Sequence, residues 1–270
     1  MHVMAALLAL QGVTADPAKK EVRVPCKIAP RKLPNLPEVY PIEVVATAPA
    51  PKGQKAHETM VTFDVAPSEV HKALESLGLK AGKPVRGDGQ VTGAPLEILL
   101  ELPALGGRPA GQVRIESLLA EKKTGRPLPP LLWHFTGSVQ KDGKYGADVS
   151  GTLISLYPVT DECVMQSALT MKEEGMIKMD TAKGALPPEG TPVTLILRAV
   201  AGPPPAAAAL APDPDRQVLK LSRAVGPGNL AAPAVAPSTA APPAGVPDPF
   251  EHRREVRSSL KDSIKPVDVK

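Results

Sequence analysis

Residues 67–79 read Pro67-Ser68-Glu69-Val70-His71-Lys72-Ala73-Leu74-Glu75-Ser76-Leu77-Gly78-Leu79, and the fold class turns on them. Pro67 suits a first helical position, where its missing N–H costs nothing; Glu69 puts an acid in the first turn, and Gly78 stands near the end. Val70, Leu74 and Leu77 recur at i, i+4, i+7, while Glu69, Lys72 and Glu75 face away. The spacing predicts one amphipathic helix. On either side the pattern changes to period two. Glu21–Ile28 alternates Val22, Val24, Cys26 and Ile28 on one face, as a half-buried strand does. Residues 42–46, 57–63, 96–102, 112–116, 131–139, 151–157 and 192–200 read as further strands, separated by Pro- and Gly-rich turns. No repeat period is visible. The expected fold is α+β over residues 16–200, with one antiparallel or mixed sheet and one main helix. A Pro/Ala-rich, largely disordered tail follows it.

Composition narrows the function classes. The chain has 270 residues with 33 Pro but only 1 Trp, 3 Tyr and 3 Phe, so its core must be aliphatic. Lys+Arg minus Asp+Glu is 32 − 28 = +4, which is too little charge for a polyelectrolyte and makes no case for nucleic-acid binding. No apolar run approaches the roughly 18 residues of a membrane span. Cys26 and Cys163 are too few for a disulfide framework, a four-thiolate zinc site or an iron–sulfur cluster.

The N-terminus suggests export. Residues 3–10 are apolar, and Val13-Thr14-Ala15 carries small residues where a signal peptidase prefers them, so residues 1–15 read as a signal peptide. Met1-His2 supplies no basic n-region, and the alternative for the same run is a first strand or helix packed in the core. Export to the periplasm or beyond would allow a Cys26–Cys163 bridge without implying one. Residues 201–270 hold 13 of the 33 Pro, in Ala/Pro tracts that bury little and act as semi-rigid spacers. Within them Asp248-Pro249-Phe250-Glu251 opens a basic amphipathic segment over residues 249–264, with Val256, Leu260 and Ile264 on one stripe. A weaker segment starts at Asp213. Either could dock on a groove or an anionic surface, or stay solvated.

Catalytic signatures are missing. His57-Glu58 lacks the second His of a zinc-protease helix. His71 lies fourteen residues on, and His57, Glu58 and His71 could meet around a metal if strand and helix pack together. Half-buried structural residues are the blander alternative. Gly87-Asp88-Gly89 and Gly93 read as a turn rather than a phosphate loop, and Gly137-Ser138 lacks the nucleophile elbow. Trp133 and Phe135, alternating with His134, read as the main aromatic anchors of the core.

Four phrases in order resemble the YdjY-domain family of bacterial proteins. They are Lys55-Ala56-His57-Glu58-Thr59; His71-Lys72-Ala73-Leu74 leading to Leu77-Gly78-Leu79-Lys80-Ala81-Gly82; Trp133-His134-Phe135-Thr136-Gly137-Ser138; and Pro188-Glu189-Gly190-Thr191-Pro192-Val193-Thr194-Leu195. The resemblance spans residues 21–200, apart from an insertion-like stretch over 30–41. It implies a single α+β domain, often behind an export signal, and no particular reaction. Iron–sulfur motifs described for some relatives do not transfer, because the thiolates are missing here.

The positions to watch are Lys55, His57, Glu58 and His71. The expected function is that of a non-enzymatic exported binding or structural protein of the cell envelope, with no cofactor. Its partner would be another protein or an envelope component, met in part through residues 249–264. The alternative is a metal-binding protein or metal-dependent hydrolase using His57, Glu58 and His71, with His134 as a possible fourth ligand. A small-ligand pocket between helix and sheet is a third possibility.

Overall fold

Glu21–Ile28 is a strand along its whole length, with Val22, Val24, Cys26 and Ile28 buried on one face. The computed structural model describes residues 8–10, as backbone, and residues 12–200. Most of the leader-like run, the tail 201–270 and the helix expected over 249–264 lie outside the described residues. In chain order the strands are β1 (Leu8–Leu10), β2 (Val13–Asp16), β3 (Glu21–Ile28), β4 (Val44–Thr47), β5 (Val61–Thr62), β6 (Ala94–Leu102), β7 (Gly111–Arg114), β8 (Leu119–Glu121), β9 (Trp133–Phe135), β10 (Gln140–Lys141), β11 (Lys144–Tyr145), β12 (Thr152–Ser155), β13 (Met165–Ser167), β14 (Met179–Thr181) and β15 (Pro192–Ala199). Among the described residues three short α-helices accompany them: α1 (Pro67–Ser76), α2 (Gly146–Ser150) and α3 (Met171–Met176).

The expected α+β fold with one sheet and one main helix is corrected here: the protein is mostly sheet, and eight strands close into a barrel. Neighbours run in the order β3, β15, β6, β9, β13, β12, β4, β5, and β5 returns to pair with β3 through Lys27↔Thr62 and Ile28↔Val61. Closure removes the free edges that an open sheet leaves. One row of paired residues crosses the closing seam: Phe135, Met165, Ile154, Ala46, Val61 and Ile28 are successive register partners. A second pair of rows, Val22–Leu197–Ile98 and Val24–Leu195–Leu100, builds the opposite part of the core. All of these residues are buried, and each large aliphatic one contributes about 1.5–3 kcal/mol. Trp133 and Phe135 sit among them with no exposure, as the sequence pattern implied.

α1 forms where its apolar stripe placed it, and Val70, Ala73 and Leu74 join the same core. Ala66 offers no side-chain cap, so Asp148 of α2 accepts the Ser68 N–H at 2.9 Å instead. α1 packs beside β2 and β3. β2 pairs with β3 through Ala15↔Val22, and Val13 and Ala15 are core residues. The segment carrying the cleavage-like triplet is thus also a structural strand.

Several of the strand expectations shrink, 112–116 ending at Arg114 and 151–157 keeping only Thr152–Ser155, and two shrink most. Of residues 57–63 only Val61–Thr62 is strand, the rest being loop; of 131–139 only Trp133–Phe135 is strand. For residues 57–63 the reason is geometric. β4 and β5 are parallel neighbours, and a parallel pair needs a crossover of about a dozen residues. Residues 48–60 provide it, which turns a period-two stretch into a loop.

On the outer face of β3, β15 and β6, Glu21, Arg198 and Glu97 are register partners in a row. Arg198 pairs with Glu21 at 2.9 Å, Arg23 with Glu101 at 2.5 Å and Arg114 with Glu97 at 2.5 Å. These long side chains cover Ile196 and Leu99, which are buried although they face outward.

Candidate functional site

The crossover 48–60 carries the first phrase of the sequence reading. Its turns are tied by Gly53 N–H to Pro49 O, Ala56 N–H to Gly53 O and Glu58 N–H to Lys55 O. Gly53 fits because its Cα lies against the backbone at the start of the crossover: a Cβ there would stand 1.8 Å from Ala48 O. Glu58 O accepts the N–H groups of both Glu43 and Val44 at 3.1 Å, which brings the turn against the start of β4.

That backbone pairing sets three side chains together. Lys55 Nζ donates to Glu43 Oε2 at 2.5 Å and to Glu58 Oε2 at 2.6 Å. The other Glu58 oxygen, Oε1, lies 3.5 Å from His57 Nε2, and the His57 ring meets Tyr40 edge-on at 5.2 Å. Burial alone would raise Glu58, but the His57 hydrogen bond and the Lys55 charge outweigh it and hold the carboxyl at about 2. Glu43 moves the other way, because burial and the facing Glu58 charge outweigh the pull of Lys55. Lys55 is raised: its two carboxylates more than offset the burial that would lower it. Two carboxylates against one ammonium leave the cluster acidic. Its outer members, Lys55 and His57, remain about a quarter to a third exposed.

His71 belongs to a different constellation. Its Nδ1 is hydrogen-bonded to Tyr145 Oη at 2.7 Å, its Nε2 lies 3.3 Å from Glu75 Oε1, and Phe135 packs against its ring at 4.8 Å. Burial raises the Tyr145 phenol above its ordinary range, so it keeps its proton. Gly137 keeps this corner open, since a Cβ there would stand 3.2 Å from His71 Cε1. His134 reaches Gly93 O through Nδ1 at 3.2 Å.

The structure therefore brings Lys55, His57 and Glu58 together and leaves His71 and His134 with other partners. Among the described residues no group of three or more His, Cys, Asp or Glu is arranged to hold a metal ion. His57, Glu58 and His71 do not assemble the ligand set that the metal alternative requires. Sequence reasoning missed Glu43 and Tyr40. Glu43 is an alternating polar residue in a strand-like run, and Tyr40 falls in the stretch that looked like an insertion, so neither signalled its partners.

The two thiols are free and buried. Burial pushes Cys26 up to about 12 and raises Cys163 as well, so neither is a ready thiolate.

A family model described as the YdjY domain matches residues 13–198. The chain belongs to the YdjY family. The match begins at Val13, the first residue of β2, and ends within β15, so the YdjY domain coincides with the barrel and its N-terminal strand. No curated protein and no solved structure matches the chain. No helix among the described residues of this YdjY protein is long and apolar enough to cross a membrane.

Proposed function

We propose that this YdjY protein is a non-enzymatic binding protein of the bacterial cell envelope, and that it meets its partner through the crossover loop 48–60. The observation that carries this reading is the Lys55 ammonium held between Glu43 and Glu58, with His57 on the outer side. Each of these charged groups already has a partner, which suits a preorganised recognition surface better than a nucleophile or base waiting for substrate. The acidic excess of the cluster favours a cationic group on the partner. The buried, raised thiols add to the case against nucleophilic catalysis.

Export rests on the apolar run 3–10. Because Val13 and Ala15 are core residues, processing after Ala15 would remove a structural strand, and the reading places any cleavage ahead of Val13. The tail 201–270 serves as a spacer and residues 249–264 as a docking element. The test is affinity capture from envelope fractions with the full chain, a Glu43→Gln/Glu58→Gln variant and a chain ending at residue 200. A partner held by the full chain, lost by the double variant and weakened by truncation supports the proposal. Equal capture by all three, or recovery of the protein in the cytosolic fraction, overturns it.

A further inference from the structure

Beside the barrel, a groove of about 330 Å³ lies between the end of β3 and the loop that follows β14. Ile28, Leu186 and Pro187 give it apolar walls, Arg31 lines it, and Lys183 is exposed at its rim. Arg31 donates through Nε and Nη2 to Asp180 Oδ1 at 3.2 and 2.9 Å and through Nη2 to Tyr40 O at 2.8 Å. Its Nη1 is buried and has no hydrogen-bond partner among the described residues.

Arg108 reaches the same loop. Its Nη1 donates to Ala185 O at 3.0 Å, between the groove residues Gly184 and Leu186. Its Nε and Nη2 are also buried without a partner. Arg108 does not itself line the groove, so of these nitrogens only Arg31 Nη1 belongs to a lining side chain. Buried donors are rarely left so, and a charged one costs more than a neutral one.

Asp180, which does not line the groove, is committed to Arg31, and the acid that does line it, Glu189, is exposed. Among the residues lining the groove, Arg31 and Lys183 against Glu189 sum to 2 − 1 = +1. A guanidinium fork matches the geometry of a carboxylate, and aliphatic walls match a short hydrocarbon body. We infer that this groove binds a small organic acid, its carboxylate toward the cationic side chains that line it, Arg31 and Lys183, and its aliphatic part against Ile28, Leu186 and Pro187. The site is separate from the Lys55 cluster and does not depend on the role assigned to it.

The experiment is a titration of the full chain with hexanoate, followed by backbone amide NMR. Hexanol, hexylammonium and inorganic phosphate serve as comparison probes. Saturable shifts confined to residues 28–31 and 181–187 are expected for hexanoate alone. Arg31→Gln should weaken binding about tenfold or more, as loss of a charge-assisted bond implies. Arg31 also ties Asp180 and Tyr40, so Lys183→Glu at the exposed rim provides the second variant, which should weaken binding with the remaining spectrum unchanged. Absence of saturation, equal binding of hexanol or hexylammonium, or hexanoate affinity unaltered in Lys183→Glu overturns the site. Phosphate bound as tightly as hexanoate overturns the organic acid as its ligand.

Discussion

The indole N–H of Trp133 donates to Glu116 Oε1 at 3.0 Å, and this carboxylate is almost wholly buried. The same oxygen accepts the Leu131 N–H at 2.9 Å and lies 3.3 Å from Arg114 Nη2. One acid therefore ties the single Trp of the chain, the strand entry before it and the outer charge row together.

Removing that acid leaves the indole, a backbone N–H and a guanidinium short of an acceptor. Glu116→Ala should cost about 2–4 kcal/mol, and Glu116→Gln less, because an amide oxygen still accepts from Trp133. Urea unfolding followed by Trp133 fluorescence measures both. A loss below about 0.5 kcal/mol for the Ala variant would show that the bond contributes nothing net.

The Lys55 cluster has a defined pH signature. Glu58 sits at about 2 in the folded protein against an ordinary 4.5, so its contribution is present above pH 4.5 and is lost as pH falls toward 2. The size is on the order of 3 kcal/mol, reduced by the opposite shift of Glu43, whose protonation acid favours. Lys55 is raised, so its contribution is full below its ordinary 10.5 and disappears as pH rises through the higher folded value. Glu58→Gln should flatten the acid limb of the stability profile and Lys55→Met the alkaline limb. Unchanged limbs in both variants would refute the assignment.

The N-terminal strand should matter to stability. Val13 lies 1% exposed in the core, so Val13→Asp buries a charge and should cost about 3 kcal/mol or more. A chain starting at residue 16 should unfold at lower urea than one starting at residue 12. Equal midpoints would mean that β2 is dispensable and that a cut after Ala15 is tolerated.

Both thiols should be silent in the native state. At pH 8 a disulfide-exchange reagent should label neither Cys26 nor Cys163 until denaturant is added, and then both. Rapid labelling of the native protein would contradict their burial.

Local chemistry is legible in the residues. The period-two face of Glu21–Ile28, the stripe Val70–Leu74 behind Pro67 and the burial of Trp133 and Phe135 all follow from side-chain spacing. At the candidate site, Lys55, His57 and Glu58 could be picked out because they lie within four residues of each other. Glu43 could not, since its link to Glu58 runs through backbone bonds between β4 and the crossover. His71 sits one turn from Glu75 on α1, but its bond to Tyr145 crosses 74 residues, and no local pattern announces it.

Sequence alone determined the aliphatic strands, the one longer helix, the family phrases and the polar residues of the loop. Only the tertiary structure decided that the sheet closes, that β4 and β5 run parallel and that residues 57–60 are loop rather than strand. Alternation reports which face of a strand is buried, whereas closure depends on which strand edge meets which. That is settled by pairings such as Ile28↔Val61, whose energy depends on every strand between them being in register.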